Sequence, residues 1–212
     1  MGKEKIVRII KITEMVAFLV AAIFAFVIGV LNFTYINGNN NGGINFFFVF
    51  SGLLMLASAA GLGIFSVMFL LSVFGKKSFD GKFEYILASI VPLVQALTSI
   101  VYIIVLIANN WTVGAGLWMN FLLLGACGAV ILVAFFVKNE KLGIAAVFAA
   151  VLAEILICVF GGGEVINVFF VIAISVALLC FAELKFLPLI CGKSESVEIT
   201  SGKAEGEDDL AE

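Results

Sequence analysis

Six apolar runs, each long enough to cross a lipid bilayer, constrain this chain more than any other feature. They cover about 12–31, 44–74, 83–108, 117–137, 142–160 and 165–187. A helix needs ~20 apolar residues to traverse a hydrocarbon core ~30 Å thick. Transmembrane barrels alternate polarity along short segments. These runs are unbroken, so the fold class is all-α: a polytopic integral membrane protein with six transmembrane helices in a bundle over residues 1–191. Composition agrees, with 63% of residues hydrophobic and 13% charged, against about 45–50% and about 25% in a soluble domain. The lipid bilayer is therefore the first partner of this chain.

The charges set an orientation. All 12 Lys and Arg residues fall within 1–11, 75–82, 138–141 and from Lys185 onward. With six spans these segments share one side, and the other three connections carry none. The positive-inside rule places both termini in the cytoplasm, and the plasma membrane is the expected location. Single cysteines at Thr112 and Ser201 test this. A membrane-impermeant thiol reagent added outside should label Thr112→Cys and leave Ser201→Cys unmodified; outside labelling of Ser201→Cys overturns the topology.

The first run follows Lys3, Lys5, Arg8 and Lys11. It exceeds the ~7–15 apolar residues of a cleaved signal peptide, so it reads as a retained span. Ile6 stands where a myristoylation signal needs Ser or Thr. Ala17, Ala21, Ala25 and Gly29 repeat every four residues, as do Ala57 with Gly61 and Ala59 with Gly63. Small residues at that spacing let helices approach closely. Pro92 lies inside the third run and predicts a kink. Residues 192–212 are acidic and lack aromatics, which predicts a disordered cytoplasmic tail. The four cysteines lie in or just past apolar runs and read as packing residues rather than a disulfide framework.

Three outer connections repeat glycine shortly before asparagine, at Gly43/Asn45, Gly116/Asn120 and Gly163/Asn167. Ordinary turn and helix-start chemistry accounts for this. Asn32-Phe33-Thr34 and Asn110-Trp111-Thr112 match the glycosylation acceptor pattern, but both lie almost at the membrane, where a transferase has poor access.

Glu154 is the one polar residue of the fifth run. Ala146, Ala150 and Glu154 are spaced by four, as are Ala145, Ala149 and Ala153. Residues four apart share a helix face, so the carboxylate sits on a small-residue side that another helix can reach. A carboxylic side chain at a helix centre costs ~2.5–3.5 kcal/mol on insertion scales and is a functional-site candidate by default. At ~1.5 Å per residue Glu154 lies about 9 Å below the outer end of its run. Tyr102 lies at a similar depth, and Asn120 is slightly shallower. Gln95, Thr98 and Ser99 make the third run the most polar. With no Lys or Arg in this layer, Glu154 is protonated, hydrogen-bonded to Tyr102 or Asn120, open to a water-filled cavity, or paired with a cation from outside the chain. Glu154, Gln95, Thr98, Ser99, Tyr102 and Asn120 form the candidate site for a ligand, proton or cation.

Enzymatic chemistry finds no footing. Histidine is absent, which removes the commonest general base. There is no Walker loop, no G-x-S-x-G and no metal-ligand cluster. Neither a cofactor nor nucleic acid is expected. Two functional classes remain. One is a small transport or solute-binding subunit with a polar site in the outer half. The other is an assembly, scaffold or regulatory subunit whose small-residue faces dock other membrane subunits. In size, helix count and the Ala17, Ala21, Ala25 run, the chain resembles the substrate-binding subunits of energy-coupling-factor transporters. That resemblance implies a subunit that binds a small solute within the membrane.

Overall fold

The computed structural model describes residues 3–38, 41–73, 82–161 and 165–190. Six helices in this set are long and apolar enough to cross a membrane. They are α1 (Lys3–Thr34), α2 (Gly42–Val73), α3 (Lys82–Ala108), α4 (Ala115–Val137), α5 (Glu140–Gly161) and α6 (Val165–Ile190). The basic loop at 74–81, the 162–164 turn, Cys191 and the acidic tail lie outside the described residues.

One boundary differs markedly from the sequence expectation. The helix of the first span begins at Lys3, well before the apolar run at residue 12. Lys, Arg and Glu are good helix formers and no glycine or proline intervenes, so backbone hydrogen bonding continues past the point where hydropathy drops. At α3, Pro92 sits inside a continuous helix, and its ring is fully buried.

The helices form a ring. Each packs on its neighbour in sequence, and α1 closes the circle against α6, with α3 touching α6 across the middle. The core is built largely of alanine and medium-sized aliphatic residues: Ala17, Ala21 and Ala25 of α1, Ala88 and Val91 of α3, Ala146, Val147 and Ala150 of α5, and Ile174 and Ala177 of α6. Large apolar side chains such as Ile23, Phe26, Leu53, Phe136 and Val159 point outward. In water such a surface would exceed the apolar patches that soluble monomers tolerate. In lipid it is the expected exterior, because association there comes from close packing and not from hiding apolar surface.

The small-residue stripe of α1 packs as expected. At its outer end Gly29 meets Gly52 of α2: a Cβ on Gly29 would lie 3.1 Å from the Gly52 carbonyl oxygen, and one on Gly52 would lie 3.1 Å from the Gly29 oxygen. Asn32 Nδ2 donates to Ser51 Oγ beside this crossing at 2.9 Å. The amide of the first glycosylation pattern is thus held between two helices. The other small pairs of α2 behave differently. Nothing lies within 4 Å of a Cβ built on Gly61 or Gly63, and Ala57 is exposed.

Asparagines organise the ends. Asn41 Oδ1 accepts from the Gly43 and Ile44 amides at 3.0 and 3.3 Å, capping α2. Its Nδ2 donates to Asn109 Oδ1 at 2.7 Å, which ties the start of α2 to the end of α3. Asn139 Oδ1 accepts from the Leu142 amide at 3.2 Å and caps α5. Lys138 takes the left-handed conformation with φ 56°, closing the tight turn that makes α4 and α5 antiparallel.

Candidate functional site

Helix α4 is not uniform. Residues Asn120–Leu124 form a π-helical turn between the α-helical stretches Ala115–Met119 and Gly125–Val137. A π turn bonds each residue five positions apart instead of four, and such turns are frequent at functional sites. This one packs on both α3 and α5.

Close contacts fix the register around it. A Cβ on Gly128 would lie 2.7 Å from Leu93 Cγ, and one on Gly125 would lie 3.3 Å from Ala96 Cβ. This sets α4 against α3 and puts Gln95 level with the inner edge of the π turn. On the other side a Cβ on Gly143 would lie 3.5 Å from Ala134 Cβ. Carried up the antiparallel pair, that register puts Glu154 beside Leu123 and Leu124, with Asn120 about one turn nearer the outer surface.

Glu154 is 2% exposed. Its row partners Ala146 and Ala150 are buried with it, whereas Ala145 and Ala149 of the parallel row face outward. The Gln95 side chain lies beside the Glu154 carboxyl. Three side-chain oxygens here are buried and have no hydrogen-bond partner: Glu154 Oε1, Gln95 Oε1 and Asn120 Oδ1. A buried polar atom without a partner costs about 1–3 kcal/mol. Three of them around one irregular turn call for an explanation.

Of the other expected members, Thr98 and Tyr102 separate from this group and Ser99 does not. Ser99 is buried one turn above Gln95 on the same side of α3. Thr98 Oγ1 donates to its own helix, at 2.9 Å from the Val94 carbonyl oxygen. Tyr102 turns toward α2, where its ring stacks on Phe47 with centroids 4.2 Å apart. A hydroxyl on a helix easily bonds back to the preceding turn, and an aromatic ring gains from stacking. Residue type and depth alone could not foresee either choice.

Sequence reasoning passed over Glu14. It lies inside the first apolar run, is 2% exposed, and stands close to Cys180 of α6. The signal was present: a second carboxylate within a span, three residues past Lys11. It occupies the inner half of the bundle, far in depth from Glu154. Glu183 is exposed. Lys185, two residues on, reaches back over the Tyr85 ring at 5.3 Å. Cys127, Cys158 and Cys180 are free thiols. No group of three or more Cys, Asp or Glu among the described residues is placed to hold a metal ion.

No protein-family model, curated protein or solved structure matches this chain. The likeness to energy-coupling-factor subunits therefore remains one of size and helix count, and the functional argument stands on the site itself.

Proposed function

We propose that this six-span membrane protein is a small transport or solute-binding subunit. Its binding site lies between α3, the π turn of α4 and α5, in the outer half of the bundle. The observation that carries this is the set of unpartnered buried oxygens on Gln95, Asn120 and Glu154. A group serving only to hold helices together would be capped by its neighbours, since an unmade bond inside a membrane has no water to replace it. A ligand that donates to these oxygens would complete them. The protein sits in the plasma membrane with both termini cytoplasmic.

The test is a solute screen on the purified full-length protein. Small polar compounds are added in detergent and thermal unfolding is followed, since a ligand that binds only the folded state raises its stability. A stabilising compound is then used in proteoliposome uptake. The expected result is stabilisation and uptake by wild type, with both reduced at least tenfold in Asn120→Leu and Gln95→Met. Equal stabilisation and uptake in those variants would refute this site.

A docking role has one observation in its favour. Ala57, Ala60, Ala145 and Ala149 face outward, and Gly61 has open space around it, so α2 and α5 each present small residues to the bilayer, where a helix of another membrane subunit could approach closely. The unpartnered oxygens inside the bundle give the binding role the stronger support.

A further inference from the structure

The fully buried side-chain atoms without a partner at the α3–α4–α5 site are of one kind. Glu154 Oε1, Gln95 Oε1 and Asn120 Oδ1 are all oxygens. The Gln95 side chain lies beside the Glu154 carboxyl, and its buried oxygen is an acceptor without a donor. An oxygen-only set is the ligand chemistry of hard cations, while thiolate and imidazole select transition metals. The charge count narrows this further. The set holds one carboxylate and two neutral amides, and the described Lys and Arg residues lie toward the opposite end of the bundle. One negative charge in a low-dielectric interior is balanced by one positive charge. A divalent ion would leave a net charge buried there, which is costly. The π turn adds a reason for the position, because irregular backbone at membrane depth is tolerated where it is enclosed by protein or lines an ion pathway.

We infer that the oxygens of Glu154, Gln95 and Asn120, gathered around the π turn of α4, bind a single alkali-metal cation, with sodium as the physiological ion. This rests on the binding-site reading above and names what occupies part of that site. The ion would enter from the outer side, where the site lies nearest the surface, and its gradient would drive solute movement.

Equilibrium binding of radioactive sodium to the full-length protein in detergent tests this, with choline chloride holding ionic strength constant. Wild type should bind about one sodium per chain and unfold at a higher temperature in sodium than in choline. Glu154→Gln keeps the shape and removes the charge; it should weaken sodium binding at least tenfold. If that variant fails to fold, Gln95→Met serves instead, since it keeps the volume and removes one oxygen. Glu183→Gln, at the exposed inner end of α6, should bind sodium like wild type. Absence of sodium binding by wild type, or equal binding by wild type and Glu154→Gln, overturns the inference. So does solute uptake that runs equally well in choline, an outcome that leaves the solute-binding reading standing. Solute stabilisation unaffected by Asn120→Leu and Gln95→Met defeats that reading separately.

Discussion

Gly128→Leu should produce the largest loss of stability of any single substitution in the bundle. A Cβ at Gly128 would lie 2.7 Å from Leu93 Cγ, 3.1 Å from its Cδ2 and 3.2 Å from its backbone nitrogen. The leucine side chain can swing aside, but the backbone of α3 cannot move without carrying Gln95 with it. Overpacking of this kind costs about 1–3 kcal/mol and occasionally more, and a leucine adds three further carbons beyond the Cβ. Thermal unfolding in detergent measures the effect. Gly61→Ala is the matched control. Nothing lies within 4 Å of that position, and replacing a mid-helix glycine with alanine gains about 0.5–1 kcal/mol from backbone entropy. The two substitutions should therefore move the melting temperature in opposite directions. A Gly128→Leu protein that melts with wild type would mean that α3 and α4 are not in contact as described.

Deleting Leu123 should abolish ligand binding and leave the bundle folded. A π turn accommodates one more residue than the α-helix around it, so removing one residue restores regular bonding through 115–137. Leu123 is exposed, and its loss takes nothing from the core. Because the π turn already takes up the extra residue, the deletion leaves the helix on either side facing as before and closes the widened turn that holds Asn120. The Gly125 and Gly128 contacts with α3 lie on the inner side of the change and stay in register. Asn120 Oδ1 is drawn away from Glu154 and Gln95 as the turn closes, and sodium binding should fall at least tenfold while the melting temperature stays near that of wild type. Substituting Leu123 with alanine tests whether the residue count or the side chain matters, and binding should persist there. Unchanged sodium binding in the deletion would mean that the π turn plays no part in the site.

Hydropathy determined the class, the number of spans and their approximate ends, because a bilayer accepts few alternatives to an apolar helix ~20 residues long. Four-residue spacing also determined which rows of α1 pack inward: Ala17, Ala21, Ala25 and Gly29 are all buried. For Glu154 the same argument was only half decisive. The rows through Ala145 and Ala146 are equally small, and only the carboxylate at its end singled out the second. The structure buries that row and leaves Ala145 and Ala149 outside, with only Ala153 of the other row buried beside Glu154. Spacing could not distinguish Gly29, which crosses Gly52, from Gly61, which touches nothing, because contact depends on where the neighbouring helix lies. The π turn was equally hidden. Asn-Phe-Leu-Leu-Leu has no local feature against an ordinary α-helix, and the extra residue is absorbed where α4 packs between α3 and α5. Thr98 and Tyr102 shared depth and polarity with Gln95, yet one bonds its own backbone and the other stacks on Phe47. The chain's own polarity decides what must leave water. Which buried oxygens then go without a partner is decided by packing, since it depends on the rotation and register of three helices at once.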